Sequence, residues 1–231
     1  MRYGILACIH ANFPALQAVL RDAEGQGCTH LACCGDVVGY GAQPKECLDM
    51  IRDLKIPCVK GNHDEYCSSD DTLEGFNPHA AANVAWQREQ LTEQDKEWLR
   101  SLKLVEQVAG FTITHGSLND PGRWLYIFDR VAASRSFEHQ ARDICFFGHT
   151  HVPVAFIRSD VVCGGTYSKF KVQPARKYLV NVGSVGQPRD GNPKAAYAIY
   201  DLDERSIELR RVDFGGSGQR PPPAPTPMLV R

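Results

Sequence analysis

The chain has 231 residues, 43% of them hydrophobic and 23% charged, which supports a buried core and suits one α/β domain or two small ones. Its 26 Lys and Arg stand against 27 Asp and Glu, a formal charge of -1, so the basic excess of a protein that grips bulk DNA or RNA is missing. The first apolar run is too short for a signal-peptide core, and no stretch approaches the ~20 apolar residues of a membrane span, so the expectation is a cytoplasmic protein with no membrane partner.

Tyr3 to Cys8 is predicted as a buried first strand. A helix follows, with Leu16, Val19 and Leu20 at helical spacing and Gly25 and Gly27 at its end. His30 to Cys34 is a second strand, Pro44 to Leu54 a second helix with Cys47, Leu48 and Ile51 on its apolar face, and Pro57 to Lys60 a short third strand. This β-α-β-α-β order predicts right-handed crossovers and a largely parallel sheet. Ser68 to Pro78 is polar and is expected to be irregular. Helices are predicted over His79 to Gln90 and Glu93 to Ser101, the second opened by Thr92 with Asp95 three residues on, a capping-box pattern with Asp in place of Glu.

Beyond this the pattern becomes β-rich. Val105 to Val108, Phe111 to Thr114, Ile144 to Phe147, Val154 to Ile157, Lys177 to Asn181, Ala195 to Tyr200 and Ile207 to Arg211 are strand-like, separated by Gly, Pro and Asp turns as in hairpins. One helix, near Ala132 to Gln140, interrupts them. The domain is expected to span 1–214, with a Gly- and Pro-rich tail over 215–231 that lacks a core pattern. The 9 Cys are mostly set in apolar segments and include no paired C-x-x-C motifs, which fits small buried hydrophobes in a reducing compartment better than a structural zinc site.

Five polar motifs follow apolar runs: Cys8-Ile9-His10, Gly35-Asp36, Gly61-Asn62-His63-Asp64, His115-Gly116 and Gly148-His149-Thr150-His151. Singly, each has a plain structural reading as a strand end, a turn or a core histidine. Together they place imidazole, carboxylate and carboxamide donors at successive strand ends, where open α/β sheets bind ligands. Asp36 is suited to bridge two cations, because each of its oxygens can face one; Asn62 offers an amide oxygen and His10, His115, His149 and His151 offer nitrogens.

On these motifs the chain resembles the calcineurin-like metallophosphoesterase superfamily, in particular its small prokaryotic members. Gly183-Ser184-Val185-Gly186-Gln187-Pro188-Arg189-Asp190-Gly191 adds to the likeness, which covers roughly residues 1 to 212. The resemblance implies an α/β fold, a four-layer αββα sandwich with two facing mixed sheets and outer helices. It implies two divalent transition-metal ions (zinc, iron or manganese), one held by His10, Asp36 and His151 with Cys8 at the position of a further ligand, the other by Asp36, Asn62, His115 and His149. His63 matches the catalytic histidine that protonates the leaving oxygen or holds the phosphate. Asp64 is expected either to orient it or to cap the next turn. The reaction implied is hydrolysis of a phosphoester by attack of metal-bound hydroxide, by a phosphodiesterase or a phosphatase. The substrate implied is a small phosphoester, a nucleotide or a phosphoprotein.

The chain departs from the family pattern where Asp is usual and Cys8 stands. Ala11, Ala42 and Val182 also replace a usual Gly, Pro and Pro, which are backbone details. At Cys8 two readings stay open. A thiolate restores the missing charge and favours zinc or iron over manganese or magnesium. A packed thiol leaves the first metal site weak or empty, and the protein is then a degenerate member that acts by binding rather than turnover. Asn12, Tyr40 and Arg189 are the candidate substrate contacts, a surface salt bridge being the other reading of Arg189. Arg123, Trp124, Tyr126 and Phe128 follow the ligand His115 on one loop, where aromatics more often pack against the body than stack on a substrate ring.

Overall fold

The computed structural model describes residues 1–73 and 78–215. In chain order it contains β1 (Arg2–Leu6), α1 (Phe13–Gly25), β2 (His30–Cys33), α2 (Pro44–Asp53), α3 (Asn62–Ser68), α4 (Pro78–Gln90) and α5 (Glu93–Ser101). Then come β3 (Val105–Val108), β4 (Phe111–Thr114), α6 (Arg130–Glu138), β5 (Ile144–Phe147), β6 (Val154–Arg158), β7 (Val162–Gly165), β8 (Lys169–Lys171), β9 (Lys177–Asn181), β10 (Ala195–Asp201) and β11 (Ser206–Val212).

The strands form two sheets, β2-β1-β10-β11-β8 and β3-β4-β5-β9-β6-β7. Strand alternation sorts their side chains into three apolar interfaces. Tyr3 and Ile5 of β1 meet Phe111, Ile113 and Phe146 between the sheets. Leu6, Cys33, Tyr197 and Ile199 face Leu16 and Val19 of α1 and Leu48 and Ile51 of α2. Cys145, Phe147 and Leu179 face Ala133 and Phe137 of α6 on the far side. Helix, sheet, sheet and helix are therefore stacked as the expected four layers. β4, β5, β9 and β10 are almost wholly buried, which explains their continuous apolar runs.

Two expectations are overturned. The first sheet is not largely parallel: β1 pairs parallel with β2, but β10, β11 and β8 join antiparallel. The residues expected as a third strand make single bridges, Cys33 with Cys58 and Val59 with Lys103. Pro57 contributes no N–H, and only its carbonyl accepts, from Cys33. β8, β10 and β11, from the β-rich half, complete the sheet begun by β1 and β2.

Other differences are local. Gly61 to Asp64 is not a plain turn but the start of α3, whose Asp64 accepts from the Gly61 N–H. β7 and β8 fall in a Gly- and Lys-containing stretch without alternation. The Thr92–Asp95 capping box forms in full. The expected tail lies outside the described residues from 216 onward, as do 74–77 of the segment expected to be irregular.

Candidate metal centre

β1, β2, β4, β5 and β9 all end at one edge of the sandwich, and the polar motifs follow those ends. The backbone there turns sharply. Cys8, His10, Asp36, His149 and His151 all have φ between 50° and 65°. Left-handed backbone is uncommon in non-glycine residues, and its concentration here turns five donor side chains inward from strand ends. Glycines make room: a Cβ on Gly61 would stand 2.1 Å from Asp36 Oδ1, and one on Gly148 would stand 3.0 Å from Cys8 Sγ.

Two donor groups result. Cys8, His10, Asp36 and His151 bring their donor atoms within 4.8 Å of one another, and so do Asp36, His115 and His149. Asp36 belongs to both: its Oδ2 lies 3.5 Å from His10 Nε2 and 3.1 Å from His115 Nε2. Asn62 Oδ1 lies 3.1 Å from His115 Nε2 and so extends the second group. Cys8 is fully buried and its Sγ accepts the His149 backbone N–H at 3.1 Å.

The histidines are oriented by backbone carbonyls. His10 Nδ1 faces the Val38 carbonyl, His115 Nδ1 that of Cys34, His149 Nε2 that of Trp124, and His151 Nδ1 that of Gln187, at 2.6 to 3.3 Å. A carbonyl only accepts, so each of those nitrogens carries the proton and the other presents a lone pair to the site. Two such lone pairs then face each other: His10 Nε2 and His151 Nε2 at 2.9 Å, and His115 Nε2 and His149 Nδ1 at 3.1 Å. Facing lone pairs repel unless a cation or a shared proton lies between them. Burial pushes His149 and His151 down to about 3 and His10 well below its ordinary value, which disfavours the proton. The donor set therefore fits two divalent ions sharing Asp36.

The other predicted residues divide. His63 is buried at the start of α3, its ring 5.0 Å from His10 and 4.4 Å from Tyr40, and its Nδ1 has no partner. Arg189 is exposed, with its guanidinium 5.7 Å from the Tyr40 ring centre, and it joins no ion pair among the described residues. Asp64 does not pair with His63. Its carboxylate accepts from the N–H groups of Asp36, Val37, Val38 and Gly61, so it ties the Asp36 turn to α3. Asn12 is likewise committed to the scaffold, accepting from Ala15 N–H to cap α1 and donating to the Gly186 carbonyl.

Sequence reasoning missed Asn83 and Gln87, one turn apart on α4. They bond the backbone of Gly39, Tyr40 and Gly41 and so hold Tyr40 beside His63. Polar residues at i and i+4 were the available signal. Asn181 was also missed: it donates to the Gly148 carbonyl and Thr150 Oγ1, fixing the loop that carries His149 and His151.

The model of the calcineurin-like phosphoesterase superfamily domain matches residues 1–205. The chain belongs to this superfamily. An uncharacterised protein of Methanocaldococcus jannaschii is 37% identical over 219 residues, covering 91% of this chain and 87% of its own. A phosphodiesterase of Escherichia coli K12 is 25% identical, over 90% of this chain and 91% of its own. The crystal structure of a metallophosphoesterase from Sphaerobacter thermophilus superposes with a TM-score of 0.82 at 35% identity, covering 92% and 89% of the two chains. The superfamily's two-sheet α/β fold is the one described above. Among the described residues no helix is long and apolar enough to cross a membrane.

The buried imidazoles make metal-free stability depend on pH. Burial lowers His10, His63, His149 and His151. In His115 burial also lowers, but the Asp36 charge and hydrogen bond raise it more. Unfolded imidazoles titrate near ~6.5, so below that pH the unfolded chain binds protons that four folded histidines refuse. Stability present above pH ~6.5 is then lost as pH falls toward the lowered values, and His115 opposes this in part. Thermal melts of chelator-treated protein should give a lower Tm at pH 5.0 than at pH 7.5; the reverse order would contradict the assignment.

Proposed function

We propose that this protein is a metal-dependent phosphoesterase, a phosphodiesterase or phosphatase, with Cys8, His10, Asp36 and His151 holding one divalent transition metal and Asp36, Asn62, His115 and His149 the other. The observation that carries this is the pair of facing imidazole lone pairs, each locked from behind by a backbone carbonyl and both beside one carboxylate. Bound there, such ions activate water as a nucleophile at neutral pH and neutralise charge on the phosphoryl oxygens.

The chain supplies the rest. Asp36 contributes negative charge to both sites through one carboxylate, and its Oδ1 accepts the His63 N–H at 2.9 Å, which fixes the start of α3. Arg189, which donates to Gln187 Oε1 at 2.7 Å and joins no ion pair among the described residues, is a cation at the rim for a phosphate oxygen. Tyr40 lies between it and His63 and sets their spacing. His63, whose buried imidazole stays neutral in the free protein, holds a phosphate oxygen by a hydrogen bond or, once the phosphate charge beside it favours the protonated ring, donates a proton to the departing oxygen. Zinc, iron or manganese suits the nitrogen and oxygen donors, and a Cys8 thiolate shifts the preference toward zinc or iron. Small phosphoesters, nucleotides and phosphoproteins are the substrate classes in view, in a cytoplasmic setting.

The test is hydrolysis of a generic aryl phosphodiester and monoester by protein loaded with zinc, iron or manganese. Turnover that a chelator abolishes and added metal restores is expected. No turnover with any of these metals, in either the native chain or Cys8→Asp, would establish the second reading, a degenerate member that binds without hydrolysis. Cys8 is the observation that favours that reading, because it is the one altered ligand position. His63→Asn should lower kcat by about 10²–10⁴ for esters of poorly leaving alcohols and by less for a nitrophenolate, which departs without a proton. An equal loss on both esters would remove the general-acid role.

A further inference from the structure

The loop after His115 leaves large aromatic side chains exposed beside the metal centre. Ile127 turns inward and is buried, while its neighbours Tyr126 and Phe128 turn outward and are 48% and 65% exposed. They are not scattered. The Tyr126 ring lies nearly parallel to the His149 imidazole, 4.0 Å between centres at 13°, and the Phe128 ring is stacked with Tyr126 at 5.1 Å and 15°. Three near-parallel rings thus run from a metal-ligating histidine to solvent.

Phe128 belongs to a second feature. With Ile127, Val152, Pro153, Val154 and Phe156 it lines a groove of about 370 Å³, which also touches Thr150, the residue between His149 and His151. An apolar slot next to exposed aromatic faces, continuous with the ligand loop, is costly to leave in water unless something uses it.

We propose that Phe128, backed by Tyr126, and this groove bind a planar aromatic group carried by the phosphoester, so that the substrates are aryl or nucleoside phosphates rather than aliphatic ones. This rests on the phosphoesterase reading above and deepens it. Arg189 and the metal sites take the phosphate, and the ring lies against the outer face of the stack. Edge and face contacts between rings favour a planar π-system over an alkyl chain of equal area. The same exposure would serve a protein partner, and the experiment separates the two.

The measurement is calorimetric affinity of the metal-loaded full chain for phenyl phosphate and for methyl phosphate, with turnover of a generic phosphodiester followed in parallel. The native chain should prefer phenyl phosphate by about tenfold, the scale of one ring-stacking contact. Phe128→Ala should bring the ratio to within about twofold of unity, and Phe128→Trp should keep it. Equal affinities in the native chain, or a preference that survives Phe128→Ala, would overturn the ring site. Turnover without ring preference would overturn only this inference. Ring preference without turnover would leave it standing and remove the phosphoesterase reading instead.

Discussion

Asp36→Asn should reduce metal-dependent kcat/KM by about a thousandfold or more, because one carboxylate serves two sites and its loss is equivalent to several kcal/mol of transition-state stabilisation. Its Oδ2 stands 3.5 Å from His10 Nε2 and 3.1 Å from His115 Nε2, at the junction of the two donor groups. An asparagine offers one neutral oxygen and one NH₂. If the oxygen keeps the His63 N–H bond now made by Oδ1, the NH₂ is turned toward the imidazole lone pairs that should face a cation. If the amide flips, the oxygen faces the metals but the NH₂ opposes the His63 N–H. Either way a buried negative charge is gone, and a pair of divalent ions loses its shared anion. Metal analysis should show both sites depleted together. Retention of two ions with activity within tenfold of the native chain would show that Asp36 is not the bridge. Mutation of His115 or His149, by contrast, should deplete the second site more than the first.

The contrast between Asp36 and Asp64 shows how far the sequence carries the site. Both lie in short polar motifs after apolar runs, and both are fully buried or nearly so. Strand-end placement of His10, His115, His149, His151 and Asp36 was legible, because apolar runs ending in Gly-Asp or Gly-His are local patterns and convergence at sheet ends is a rule of open α/β folds. Asp36 was read as the bridging carboxylate, but Asp64 was left between orienting His63 and capping a turn, and its bonds to the Asp36, Val37 and Val38 N–H groups were not foreseen. Those bonds depend on α3 starting at Asn62 and on the N–H groups of Asp36, Val37 and Val38 lying across from Asp64, a contact between segments 28 residues apart. The carbonyls behind each histidine were invisible for the same reason, since any residue type supplies a carbonyl.

Strand positions were read well where runs were buried and continuous, as in β4, β5 and β9. Sheet membership was not, because β10 and β11 return from the end of the chain to lie against β1, and long-range pairing leaves no local mark. The outward aromatics were a similar case. Packing against the body was the expectation for the aromatics; Tyr126 does lie against His149 but stays half exposed, and Phe128 faces solvent.

Cys8→Asp should exchange one kind of first site for another, and the two variants Cys8→Asp and Cys8→Ala together identify what the sulfur does. In the structure Cys8 Sγ is grouped with His10, Asp36 and His151 and accepts the His149 N–H, a donor that favours the thiolate. Burial, and next the Asp36 charge, push the thiol well above its ordinary value, so a thiolate exists there only when a cation is bound. Cobalt-loaded native protein should therefore show sulfur-to-metal charge-transfer absorption that both variants lose, while the imidazole-bound second site keeps its visible bands. Relative affinity for manganese over zinc should rise at least about tenfold in Cys8→Asp, since a carboxylate is the harder donor. Cys8→Ala should weaken the first site for every metal, because the anion is lost and nothing replaces it. A native protein without the sulfur band, or variants whose metal preferences match it, would make Cys8 a packing residue against Gly148 and leave the second site as the one intact centre. The outcome bears on the whole catalytic reading. With sulfur as ligand, the site has two anions for two cations; with sulfur as filler, Asp36 compensates both alone.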